Sequence, residues 1–442
     1  MPYKIGMISL GCPKNQVDAE MMISKLQKAG FEITNQQDQA DLIIVNTCGF
    51  IEDAKKESIE SILETAQLKE HNLRALVVTG CLAERYKDEV IEQIPEIDAV
   101  IGLGANSDIV KVCKKALKGI ETSFFPSKAL MPLDDERTIS TPGHWAYLKI
   151  ADGCSNRCSY CAIPGIRGDF RSREIGRIVD EAQALAGQGV KELVVIAQDT
   201  TRYGIDLYGT LMLPTLLKKL VLIEGIEWIR LFYCYPDRIT DELLEVMRDE
   251  KKICHYIDIP LQHAHGTILK RMNRTGDEKS LTSLVHKIRS YLPDVSLRTT
   301  FMVGFPGEGE KEFETLCRFI EENEFDRLGC FAYSPEEDTP AAEYADQIED
   351  TIKQRRAEVV MNQQFSVSER KNLLRIGKRF RVIVDGFDPE MGYYRGRSYM
   401  DAPEIDTGIY FTSDKKLTSG CFVSVVIDKA GEYDLFGKAE ED

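Results

Sequence analysis

The chain has 442 residues, 43% of them hydrophobic, and a formal net charge of −16, which is too long for one ordinary domain and fits two or three. No stretch approaches about 18 consecutive apolar residues, which excludes a transmembrane helix. The acidic balance argues against a protein built mainly to grip nucleic-acid phosphates and suits a basic partner reached by long-range steering. The 12 cysteines are too sparse for a disulfide scaffold, so reduced thiols and a cytoplasmic setting are expected. Met1 to Cys12 enters a strand and a candidate site at once, leaving no room for a cleaved signal peptide.

In chain order, β-like runs at Lys4 to Leu10, Leu42 to Val45 and Ala75 to Val78 each lead to a cysteine: Cys12, Cys48 and Cys81. Helical stretches follow at about 16–28, 51–67 and 83–93, then a strand near Ala99 to Ile101 and a helix from Ser107 to Leu117. This alternation predicts a parallel, doubly wound sheet whose strand carboxyl ends share one edge. The three cysteines hold the same place in their βα units and converge there, as potential ligands of one cluster. A coincidence of buried structural cysteines is the bland alternative. The proline-bearing stretch Phe125 to Gly143 reads as an interdomain linker.

Next, the apolar run Trp145 to Ile150 leads directly into Cys154, Cys158 and Cys161, spaced CxxxCxxC, with Tyr160 just before the third. Three thiolates on a 4Fe-4S cluster leave one iron open to another ligand. Zinc also suits thiolates but needs a fourth ligand, and Cys113 and His144 lie far back or on the wrong side of the strand. Five further β-like runs alternate with helical patterns, at Leu193–Ala197, Trp228–Tyr233, Tyr256–Ile259, Ser296–Met302 and Gly329–Tyr333. Six βα units predict a curved, incomplete version of the eight-unit barrel, with its chemistry at strand carboxyl ends. Gln198-Asp199, Tyr235-Pro236, Gln262-His263 and the turn Gly304-Phe305-Pro306-Gly307-Glu308 fall at such ends. His263 and His265 lack a partner cluster of metal-ligand spacing, so substrate or core roles fit them better. Cys113, Cys234, Cys254, Cys317, Cys330 and Cys421 are isolated and read as small core hydrophobes.

From about Leu374 the pattern shifts to short β-rich segments split by turns at Asp385-Gly386, Gly392 and Ser419-Gly420, resembling a five-stranded, OB-like barrel of the TRAM type. Tyr393, Tyr394, Tyr399, Tyr410 and Phe411 could stack on bases, but acidic residues outnumber basic ones here and disfavour RNA.

The CxxxCxxC run with its aromatic resembles the radical S-adenosylmethionine (SAM) superfamily. A front domain with three dispersed cysteines, this barrel and a terminal β module together resemble the methylthiotransferase family over nearly the whole chain. Gly11-Cys12-Pro13-Lys14-Asn15 followed by Val17-Asp18-Ala19-Glu20 is similar to the RimO-type branch, which modifies an aspartate of small-subunit ribosomal protein number twelve. The resemblance implies domains at 1–124, 140–373 and 374–442. It implies two 4Fe-4S clusters, on Cys12, Cys48 and Cys81 and on Cys154, Cys158 and Cys161, with SAM as radical source and methyl donor. An external electron donor and a sulfur source are implied partners. Tyr160, Gln198 and Asp199 are then candidate SAM or substrate contacts, Arg298 a carboxylate partner, and Gly304 and Gly307 points of close backbone approach. The same reaction on a tRNA adenosine is the nearest rival, favoured by the TRAM-like tail and opposed by the net charge and by Pro13-Lys14. A two-cluster electron carrier is a rival of another class, but leaves the barrel and the terminal module without a purpose.

Overall fold

The computed structural model describes residues 2–440 and divides into two compact units that do not follow chain order. Among the described residues the first comprises 2–140, 149–177 and 334–342; the second comprises 141–148, 178–333 and 343–440.

The first unit is built on a parallel sheet of β1 (Lys4–Ser9), β2 (Glu32–Ile33), β3 (Leu42–Thr47), β4 (Ala75–Gly80), β5 (Ala99–Ile101) and β6 (Thr122–Phe124), in spatial order 2-1-3-4-5-6. β3 and β4 are buried along their whole length, as expected of strands covered on both faces. Helices α1 (Pro13–Lys28) and α5 (Ile109–Ala116) cover one face, over a core of Ile5, Met22, Leu26, Ile44, Val77 and Val112. Helices α2 (Glu52–Gln67), α3 (Cys81–Tyr86) and α4 (Asp88–Gln93) cover the other, over Ile43, Val45, Ile62, Val78, Leu82 and Val90.

Two sequence expectations need adjustment here. The single helix expected over 83–93 is two, broken at Lys87, whose φ of 46° is incompatible with a continuous helix. The stretch from Phe125 to Ser140 is not a free linker but is packed into the first unit. Met131 is buried, Arg137 and Ser140 bind the Glu20 carboxylate, and Lys25 pairs with Asp135 at 2.5 Å.

The second unit holds, apart from Lys149 at the end of the first strand, an open six-stranded sheet whose spatial order repeats its chain order: Trp145–Lys149, Glu192–Ile196, Trp228–Leu231, Ile253–Asp258, Ser296–Val303 and Arg327–Ala332. Pairings from the second strand onward are parallel. Helices intervene, among them Ile175–Gly187, Asp241–Asp249, Glu278–Tyr291 and Glu310–Asn323, as the six-unit reading expects. Strands Arg379–Asp388, Tyr393–Arg397, Ile409–Thr412, Phe422–Ala430 and Leu435–Ala439 form a closed five-stranded barrel around Val382, Val384, Phe411 and Val425. Residues 441 and 442, the end of that module, lie outside the described residues.

The terminal barrel is joined to the sheet by buried ion pairs. Glu192 receives Arg230 at 2.7 Å and Arg397 at 2.5 Å, Arg397 also holds Asp385 at 2.9 Å, and His144 reaches Asp385 at 2.9 Å. Arg327 pairs with Asp401 at 2.6 Å, and the Tyr256 hydroxyl donates to Asp406 at 2.7 Å. Part of the module's negative charge is therefore internal, and reversing Asp401 or Asp406 would disrupt packing rather than reshape a docking surface. Among the described residues, no helix is long and apolar enough to cross a membrane.

Candidate functional site

All six candidate ligand cysteines fall in the first unit. Cys12 caps α1 with extended backbone (φ −92°, ψ 163°), and Pro13 begins the helix, where a missing N–H costs nothing. Gly11 before it has φ +87°, and a Cβ there would lie 2.8 Å from the Cys48 sulfur, so only glycine lets the β1 and β3 loops come this close. Cys48 follows β3, clamped by Ser58, whose Oγ accepts from the Cys48 N–H at 3.0 Å and donates to its carbonyl at 2.9 Å. Cys81 opens α3 directly after β4.

The motif residues after Cys12 have structural work of their own. Asn15 donates its amide to the carbonyls of Leu10 (2.8 Å), Asn46 (3.2 Å) and Thr47 (3.2 Å), tying the ends of β1 and β3 together. Its Oδ1 accepts from Arg167 at 3.3 Å.

The CxxxCxxC loop is closed at its base by a short ladder between Ala151–Asp152 and Arg171–Ser172, and by the Cys154 N–H to the Gly168 carbonyl at 3.0 Å. Its three cysteines are half-buried. A short helix, α6 (Ile163–Arg167), follows at once. Ala162 at its start and Ile166 within it share a buried cluster with Cys81, Leu103 and Met131, which packs this segment against a front cysteine.

Beneath the front cysteines lies a buried ionic group that sequence reasoning missed. Asp18 and Asp152 are each held by both Lys149 and Arg167, with Arg167 at 2.9 Å from Asp18 and 2.8 Å from Asp152, and Lys149 at 3.1 Å from Asp152. Burial alone would push the Asp152 carboxyl up, but Arg167 and Lys149 hold it well below the usual range. The hint in the sequence was Lys149, charged inside an otherwise apolar strand.

The thiols feel this surrounding unequally. Burial pushes Cys12 up, yet Lys14, Arg167 and the amides of Asn15 and Lys14 outweigh it and leave it below the ordinary value. Burial dominates at Cys48, which is raised, and at Cys81, which is pushed up to about 12 against the pull of Arg167. Among the described residues, no three Cys, His or carboxylate side chains close on one point as the ligands of a single ion would. The donor set itself, three thiols at three strand ends joined over a glycine cradle, is of the chemistry that iron–sulfur clusters take.

The second unit carries the other sequence candidates. Asp199 is buried and caps the turn after its strand, accepting from Thr201 Oγ1 (2.7 Å), the Arg202 N–H (3.1 Å) and Arg238 (2.9 Å), with Gln198 beside it. Arg298 bonds Asp258 at 2.8 Å and stands 3.7 Å from Asp406. Gly304 (φ +70°) lies against Lys353, and Gly307 (φ +83°) against Asp346 and Arg271. His263 is fully buried, 3.2 Å from Glu308, which also accepts from the Gly304 N–H and from Arg356. That arrangement makes His263 part of the framework of the turn.

Residues 4–102 match the family described as Uncharacterized protein family UPF0004, residues 148–320 the Radical SAM superfamily, and residues 376–439 the TRAM domain. A ribosomal protein uS12 methylthiotransferase RimO of Thermoanaerobacter sp. (strain X514) is 50% identical over 98% of this chain and 99% of its own length. One from Caldanaerobacter subterraneus subsp. tengcongensis is 52% identical over the same shares. Among solved structures, the radical SAM methyltransferase TsrM of Kitasatospora setae, with cobalamin and a [4Fe-4S] cluster bound, superposes with a TM-score of 0.57 over 76% of this chain and 74% of that one. It is 14% identical, so the likeness is one of fold.

Proposed function

The chain belongs to the radical SAM family of ribosomal protein uS12 methylthiotransferases, and from that premise we propose that it converts a C–H bond at the β-carbon of a uS12 aspartate into a methylthio group. The observation that carries this reading is the pair of cysteine triplets within one compact unit, at strand ends and on a CxxxCxxC loop.

When bound, the two 4Fe-4S clusters and SAM supply the hard chemistry, a carbon-centred radical at one triplet and sulfur for transfer at the other. The chain's own residues supply placement. Cys154, Cys158 and Cys161 would hold the radical-generating cluster on a loop closed by the Cys154–Gly168 bond. Cys12, Cys48 and Cys81 would hold the second, fixed by Asn15 and Ser58. In the first unit Tyr160 is a proposed SAM contact. In the second, Gln198, Asp199, Gly304 and Gly307 are proposed polar and backbone contacts for SAM, supported by their place beyond strand carboxyl ends. Arg298 is a proposed partner for a carboxylate, a type of contact it already makes with Asp258. The three modules at 1–124, 140–373 and 374–442, a cytoplasmic setting, an external reductant and a separate sulfur source complete the reading. No acid–base pair is required, because hydrogen abstraction from an unactivated carbon does not proceed through one.

The test is reconstitution and product analysis. Wild-type protein is expected to bind about eight irons, and replacing either cysteine triplet by alanine to leave about four. Loss of Cys12, Cys48 and Cys81 leaves SAM cleavage to 5′-deoxyadenosine but ends methylthio transfer. In a deletion strain the mass of uS12 reverts to unmodified while tRNA nucleosides are unchanged. Full iron in either triplet variant, or loss of the mark from tRNA with uS12 unaffected, overturns the reading.

A further inference from the structure

Arg167 ends the helix that follows Cys161, yet its guanidinium serves the other triplet. It is 1% exposed, and it bonds Asp152 (2.8 Å), Asp18 (2.9 Å) and Asn15 Oδ1 (3.3 Å) at once. Its other η-nitrogen contact is the Met131 thioether at 4.0 Å, and its charge stands within electrostatic reach of Cys81, Cys12 and Cys48.

Burying a guanidinium is costly, and a cation whose only task was to neutralise the two aspartates could be the compact ammonium already present at Lys149. What a lysine cannot reproduce is the planar fork of five donors, which engages two carboxylates and an amide oxygen in one fixed geometry. Asn15, the amide in that set, is the residue that ties the β1 and β3 ends. The guanidinium therefore braces, through Asn15, the strand ends bearing Cys12 and Cys48, while Ala162 and Ile166 of the same segment pack against Cys81. N–H donors and positive charge beside cluster sulfurs favour the more negative, reduced state.

We propose that Arg167 is a positioning residue for the cluster carried by Cys12, Cys48 and Cys81, contributed by the segment that bears the other triplet, and that it raises the reduction potential of that cluster. The inference rests on the two-cluster reading above. It makes the segment carrying Cys154, Cys158 and Cys161 a structural part of the neighbouring cluster site.

The experiment uses the full chain with Cys154, Cys158 and Cys161 replaced by alanine, so that only the front cluster is observed after reconstitution with iron and sulfide. Iron per chain and the midpoint of an EPR-monitored redox titration are compared for this background, Arg167→Lys and Arg167→Met. The background should hold about four irons. Arg167→Lys should keep them with a lower midpoint, because charge is retained and the fork is lost. Arg167→Met should lose most of the iron, and in the chain with all six cysteines about four irons should remain on the CxxxCxxC loop. Unchanged iron and midpoint in both variants overturn the proposal, as does loss of iron from both triplets together. If Arg167→Met does not fold, as judged by loss of its unfolding transition, the midpoint of Arg167→Lys decides alone. A background without iron overturns the two-cluster reading itself, which separates that failure from this one.

Discussion

Two buried ionic groups, one in each unit, use the same residue types to different ends. In the second unit Glu192, Arg230, Arg397, Asp385 and His144 bond only to one another and to backbone carbonyls, and they fasten a β-barrel to a sheet. In the first unit Asp18, Asp152, Lys149 and Arg167 bond to one another and also to Asn15, which ties the strand ends bearing Cys12 and Cys48. The first group stays within the packing of the second unit, and the second reaches the strand ends that carry candidate ligand cysteines. Burial of charge thus says little about function by itself, since Arg230 also stands near a thiol, that of Cys254; what distinguishes the two is that Arg167 bonds the residue tying the strand ends of two candidate ligands.

The comparison can be broken most directly by removing one partner of the closed group. Arg230→Met leaves Glu192 buried with one cation fewer and should cost about 3–5 kcal/mol in urea unfolding. Iron content should not change, since no thiol of either triplet depends on it. A smaller effect should appear with acid. Burial pushes Glu192 up, but Arg397 and Arg230 outweigh it and leave the carboxyl below its ordinary range. Its contribution is therefore complete above the unfolded value of about 4.3 and is lost as pH falls through the lower folded value. The wild-type unfolding midpoint should drop below about pH 4, and Glu192→Gln should flatten that part of the profile. The smallest effect sets the baseline. Arg318 and Glu278 pair on the surface at 2.8 Å, and Glu278→Gln should cost less than about 1 kcal/mol, vanishing in high salt.

Much of this was readable in the chain because it is local. Strand runs such as Leu42 to Val45, the six cysteines and the turn at Gly304 announce themselves through neighbours in sequence, and their elements stand where those neighbours place them. What was not readable depends on distance along the chain. Lys149 meets Asp18 across 131 residues and Arg167 meets it across 149, and no periodicity encodes such a pairing. The packing of Phe125 to Ser140 was missed for a related reason: its prolines and acidic residues signal irregular backbone, and irregular backbone can still be held tightly, as Glu20 holds Arg137 and Ser140.

The broken path of the chain through the first unit also sets a timetable. The strands bearing Cys12, Cys48 and Cys81 are complete by Gly80, but the guanidinium beneath them arrives only with Arg167. The last piece of the same unit, residues 334–342, comes later still and contributes the Glu336 carboxylate that receives Lys55 and Arg85. At translation rates of roughly 5–20 residues per second, the wait between Gly80 and that segment is on the order of ten seconds or more. During that interval Asn15 and Ser58 already tie the front strand ends, while Arg167 joins them partway through and Glu336 only at its close. A nascent chain truncated before Arg167 would keep the Asn15 and Ser58 contacts at the front strand ends but leave Asp18 without its guanidinium partner.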